Sequence, residues 1–172
     1  MNSTMNSETE NPRLQNLILL LDPDPEKGLW YGGLPTCQAV ADLSAEEAAW
    51  TPNPSTTGRP SAWSFMLHIA YWKYDVRKRL LGNVPTFGRS PDDWPDLPEV
   101  TQENWQTDRD FLKAEHDALM SVVRNLDDPK LDQINGEDGR TVYDLLMGIV
   151  MHDAYHTGQI QQLKALCRSL GS

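Results

Sequence analysis

Residues 141–170 read TVYDLLMGIV MHDAYHTGQI QQLKALCRSL, and this stretch decides the fold. It holds no proline, and its apolar residues recur at helical spacing. With His152 at 0° on a helical wheel, Leu145 and Leu163 fall near ~20°, Ile149 and Cys167 near ~60°, and Ile160 near ~80°. One apolar stripe thus runs the length of a long helix, and His152 and His156 lie within it. Thr141 with Asp144 three residues on forms a capping box at its start. Lys164 and Arg168 suit the dipole at its end, and Gly171 stops it.

Working outward, the chain divides into further helical blocks. Ser61 caps a helix that runs to about Leu81 and ends at Gly82. Thr101 opens another, with Glu103 in its first turn, that runs to about Leu126. A shorter one spans Arg13 to Leu21, carries Leu14, Leu17, Ile18 and Leu21, and is stopped by Asp22-Pro23-Asp24-Pro25. A further helix is expected from about Leu34 to Leu43, with Ser44 and Glu47 capping the next turn. Gly28 to Gly33 reads as a turn with two aromatic anchors, Trp30 and Tyr31. Thr51–Pro60 and Asp127–Arg140 read as loops on their prolines and glycines. Strand signals are weak. The expectation is an all-α four-helix bundle with long crossover loops: a disordered tail over residues 1–12 and one domain over 13–172.

Composition narrows the function. The chain has 172 residues, and 15 Lys and Arg stand against 25 Asp and Glu, a net charge of −10. That acidity argues against nucleic acid or an anionic membrane as partner. No apolar run reaches the ~18 residues of a membrane span, and Met1 to Glu10 lack the basic flank of a signal peptide. Cys37 and Cys167 form no CxxC motif and are expected to be buried small hydrophobes. A reducing, cytoplasmic location is the default. Six tryptophans suggest large aromatic anchors in the core or at an interface.

The chemistry gathers on histidines. His152 and His156, four apart on one helix, lie ~6 Å apart along its axis, a spacing that lets two imidazoles grip one metal ion. A buried imidazole needs partners for both ring nitrogens, and a metal satisfies one on each ring. His68, flanked by Phe65 and Trp72 on an apolar helix face, is the best third ligand. The competing reading is three core histidines bonded to carbonyls or carboxylates. His116, among Lys113, Glu115 and Asp117, reads as a solvated face.

Around these residues the readings are plainer. Asp153 points ~100° from His152, and reads as a residue behind the ligands or an exposed charge. Gln159, one turn on from His156, is placed to orient a ring or a ligand, and Tyr155 reads as packing. Asp75 and Arg79 read as a surface ion pair, with a polar rim to the cleft as the alternative. The Pro-rich stretch Gly82 to Val100, with Trp94, is long for a loop; a plain surface loop is weighed against a cover for the cleft or a surface for a second subunit.

These motifs resemble the DinB superfamily, the DinB/YfiT-like four-helix-bundle metalloproteins. The resemblance is carried by His152-x-x-x-His156-x-Gly158-Gln159-Ile160, by Ser61-Ala62-Trp63-Ser64 with His68-Ile69-Ala70-Tyr71-Trp72, and by Gly82 closing that helix. It implies His68, His152 and His156 as ligands of a divalent metal, zinc or nickel, and a homodimer. Where relatives often carry Trp-His-Gly near the first helix, this chain has Trp30-Tyr31-Gly32. Three neutral imidazoles leave an open coordination position, which favours chemistry or ligand capture over a purely structural ion. The resemblance therefore implies an enzyme transferring a low-molecular-weight thiol to a small electrophilic substrate. A metal-dependent hydrolase is one alternative, and a non-catalytic metal-binding or stress-response module is another.

Overall fold

The computed structural model describes residues 12–24, 34–52 and 60–170. The expected tail as far as residue 11, the aromatic turn at Gly28 to Gly33 and the helix stop at Gly171 lie outside the described residues, as does most of the loop at 51–60; Pro12, expected as the last residue of the tail, opens the first helix. Seven helices appear among the described residues: α1 (Pro12–Leu21), α2 (Thr36–Ala39), α3 (Ala45–Ala49), α4 (Ala62–Leu81), α5 (Gln102–Val123), α6 (Asp128–Leu131) and α7 (Val142–Leu170). No strand is found there, only an isolated bridge between Ile134 and Thr141. The architecture is all-α, as the periodicity implied.

The caps fall where the sequence places them. Ser61 Oγ accepts the backbone N–H of Ser64, and Thr101 Oγ1 accepts that of Asn104, each at 3.2 Å. Ser44 and Glu47 form a reciprocal capping box. Thr141 and Asp144 form another, with contacts of 2.9 and 3.1 Å. Each box satisfies backbone donors that a helix start leaves open. Gly82 ends α4 at φ +79°, a conformation that a side chain would strain.

Two boundaries differ from expectation. The helix expected over Leu34–Leu43 is a single turn, α2, which gives way to turns at Val40. The loop expected over Asp127–Arg140 contains the one-turn α6, started by Asp127 accepting the Lys130 N–H.

α4 is the central element and packs along both α5 and α7. Its upper half joins Trp63, Met66, Leu67 and Ile69 to Leu43, Trp105, Leu112 and Ile160. Its lower end places Val76 among Leu17, Leu119, Met120 and Leu146, with α1 closing that layer. Trp63 and Trp105 are fully buried, with ring centroids 5.0 Å apart. Each indole N–H donates across elements at 2.8 Å, Trp63 to Asp108 and Trp105 to the Leu43 carbonyl. These are the aromatic anchors that the tryptophan content suggested, satisfied at their polar end as burial requires.

The stretch 82–100 is pinned to the bundle. Phe87 enters the core, and Arg89 donates to Asp108 at 2.5 and 2.8 Å. Asp108 thus ties α4, α5 and this segment together.

A buried three-histidine cluster under the 82–100 segment

α4 brings His68, and α7 brings His152 and His156, to one point between the two helices. One ring nitrogen from each lies within 4.8 Å of the others. His68 and His156 are buried; His152 is half-buried. The Nε2 atoms of His68 and His152 stand 3.1 Å apart. Two nitrogens bound to one tetrahedral ion at about 2.0–2.1 Å each are separated by about 3.3 Å, so this pair already has the spacing of common ligands.

Two of the rings are aimed by their other nitrogen. His68 Nδ1 donates to the Asp93 carbonyl at 2.8 Å, and the Asp93 carboxylate lies 3.0 Å from the same nitrogen. His156 Nδ1 donates to Gln159 Oε1 at 2.6 Å. Because carbonyl and amide oxygens only accept, both rings carry their proton on Nδ1 and leave Nε2 bare. Gln159 does orient a ring, as its place on the histidine face allowed.

Burial pushes the pKa of His68 below its ordinary 6.5, the His152 ring adds to this, and the Asp93 carbonyl opposes it. Burial likewise lowers His156, against the raising effect of Gln159. Desolvation disfavours imidazolium in both, and neutral imidazole is the form that binds a metal.

The segment 82–100 covers this cluster rather than running as a plain surface loop. Trp94 stacks on His68 with ring centroids 3.9 Å apart and planes within 12°. Its edge meets Phe65, and Phe65 also packs on His156. A long, proline-spaced segment was the readable signal; which of its residues touch the site depends on how it crosses α4.

Behind the cluster lies a charge pair that sequence reading did not assemble. Asp153 is buried, not an exposed charge, and accepts a hydrogen bond from Lys73, which is 2% exposed. Burial works against the Asp153 charge, but the Lys73 ammonium and the His152 ring outweigh it and hold the carboxyl below its ordinary value. One lysine within the apolar run of α4 was the readable trace of this pair. Lys73 and Asp153 also line a cavity of about 210 Å³, together with Thr36, Cys37, His116 and Thr157. The Thr36 and Thr157 hydroxyls are hydrogen-bonded at 2.6 Å.

Other placements depart from expectation. His116 does not sit on a solvated face: it is half-buried against this cavity, 3.6 Å from Asp22, because α5 turns that side toward α1. Tyr155 is 65% exposed, so it is not packed inside, although its ring touches His156. Cys37 and Cys167 are free but only half-buried. Asp75 and Arg79 form the i, i+4 ion pair at 2.6 Å.

Fold and site together define a helical bundle with a buried three-histidine cluster between α4 and α7. The DinB superfamily model matches residues 36–160, well over half of the chain, and the chain belongs to that superfamily. No curated protein and no solved structure matches it. Among the described residues, no helix is long and apolar enough to cross a membrane.

Proposed function

We propose that this chain is a divalent-metal-dependent enzyme of the DinB type that transfers a low-molecular-weight thiol to a small electrophilic substrate, with His68, His152 and His156 as the metal ligands. The convergence of three ring nitrogens, two of them on rings fixed by Asp93 and Gln159, carries this reading. Three neutral donors of this kind suit zinc, nickel or another borderline divalent ion. When bound, such an ion supplies a positive charge that lowers the pKa of a coordinated thiol or water.

The surroundings favour the thiol. Of the two carboxylates beside the rings, Asp153 is ion-paired with Lys73 and Asp93 lies against His68. A thiol ionises at about 8.5 and water at about 15.7, so a thiol reaches its nucleophilic form with far less help. Trp94 and Phe65 narrow access for water around His68 and His156. In the transfer, sulfur forms a bond to an electrophilic carbon as that carbon releases its leaving group, and the thiol proton passes to solvent. A second copy of this chain is the proposed partner. Met151 and Tyr155, exposed four apart on α7, offer it an apolar surface.

Cobalt-substituted protein tests the reading. Titration with low-molecular-weight thiols is expected to change its visible absorption through new sulfur coordination. A spectrum indifferent to every thiol, with metal removal affecting only the melting temperature, overturns the transferase in favour of a structural ion.

A further inference from the structure

Of the three rings, only His152 lacks a partner for its outer nitrogen. Its Nδ1 is buried and makes no hydrogen bond, and so is Oδ1 of Asp153. These two orphaned atoms lie 3.9 Å apart. Neighbours on a helix point ~100° apart and rarely meet. Here Lys73 reaches across from α4 and holds the other carboxylate oxygen, which fixes Asp153 beside the ring. A buried polar atom without a partner is costly, and these two can satisfy each other once the ring nitrogen carries a proton.

We propose that Asp153, held by Lys73, is a positioning residue that accepts the Nδ1 proton of His152 and so keeps the bare Nε2 of that ring turned toward His68 and His156. The inference rests on the metal-site reading above.

Proton counting supports it. The Asp93 carbonyl fixes the His68 proton on Nδ1, so His68 Nε2 is bare. The 3.1 Å gap to His152 Nε2 then has room for one proton, carried by His152. That tautomer leaves His152 Nδ1 bare against a carboxylate oxygen, acceptor facing acceptor. Were His68 and His152 to hold a cation, which a ring nitrogen does only when bare, the His152 proton would sit on Nδ1 instead. The same two atoms then become donor and acceptor, and about 1 Å of approach makes a hydrogen bond. All three ligands would then have their outer nitrogen held: by a carbonyl, by an amide and by a carboxylate. Such outer contacts typically set metal affinity within about 10–100-fold.

Two double variants separate this role from mere pairing with Lys73. Lys73→Met/Asp153→Asn and Lys73→Met/Asp153→Leu both remove the ion pair, but only the first keeps an oxygen that can accept from Nδ1. Zinc affinity, read by competition with a chromophoric chelator, is expected to fall about 10–100-fold in the leucine variant and to stay within about threefold in the asparagine variant. Equal affinity in both variants and the unaltered protein overturns the role of Asp153 while leaving the ligand assignment standing. Failure of the unaltered protein to bind zinc overturns both. Nitrogen-15 spectra of the unaltered zinc-loaded protein give a reading that does not depend on variants folding. They are expected to show His152 protonated on Nδ1, and protonation on Nε2 contradicts the proposal.

Discussion

The indole of Trp94 lies flat on the imidazole of His68, 3.9 Å between ring centroids, in the residue next to the one whose carbonyl holds the same ring. One short piece of the 82–100 segment therefore both aims His68 and shields its face. Trp94 is 39% exposed, so most of the ring is buried against the cluster. Replacing Trp94 with Ala is expected to lower the melting temperature by a few degrees while the bundle still folds. Chelator should then strip the metal about tenfold faster, because the ring loses its cover. Absorbance of a chromophoric chelator follows the release, and an unchanged rate would show that Trp94 is not the cover.

Lys73 and Asp153 form a buried pair, and breaking it from one side leaves a charge without compensation. Lys73→Met alone is expected to destabilise the protein by about 3–5 kcal/mol in urea unfolding. Removing Asp153 as well, in Lys73→Met/Asp153→Leu, should restore most of that loss. A single variant as stable as the parent would mean that the pair is solvated.

Trp105 fills the space between α5 and the Leu43 turn and donates to the Leu43 carbonyl. Trp105→Ala leaves both a cavity and a buried acceptor. A loss of about 3–5 kcal/mol is expected from denaturant unfolding. A loss under about 1 kcal/mol would contradict its place in the core.

His68, His156 and His116 all have folded-state pKa values below 6.5, with burial the leading cause. The unfolded chain therefore takes up protons first as pH falls. The stability these residues contribute is full above about 6.5 and is lost as pH drops through their lowered values. Metal-free protein should thus show a falling melting temperature from pH 7 to pH 5. His116→Gln should flatten part of that fall without altering metal content, since His116 lines the cavity and not the histidine cluster.

The helices and their starts were legible because they depend on local chemistry. Ser61, Thr101 and Thr141 announce their caps, and proline and glycine mark the gaps. The histidine cluster was legible for the same reason: His152 and His156 share a stripe, and His68 lies on an apolar face of another helix. What the sequence hid is long-range. Nothing near Asp93 or Trp94 says that they land on His68, and Lys73 meets Asp153 only after α4 and α7 pack. His116 was misread because its immediate neighbours are charged, whereas its burial comes from α1 and the cavity beside α5. α2 was too long in the reading because apolar spacing continues past Ala39 while the backbone turns away at Val40.

The most direct test of the central claim is elemental analysis of protein purified without a metal-affinity column. About one divalent ion per chain is expected in the unaltered protein, with His68→Ala and His152→Ala each nearly metal-free while keeping their helical circular dichroism. Full occupancy in both variants would contradict the account, because the three rings would then not share an ion.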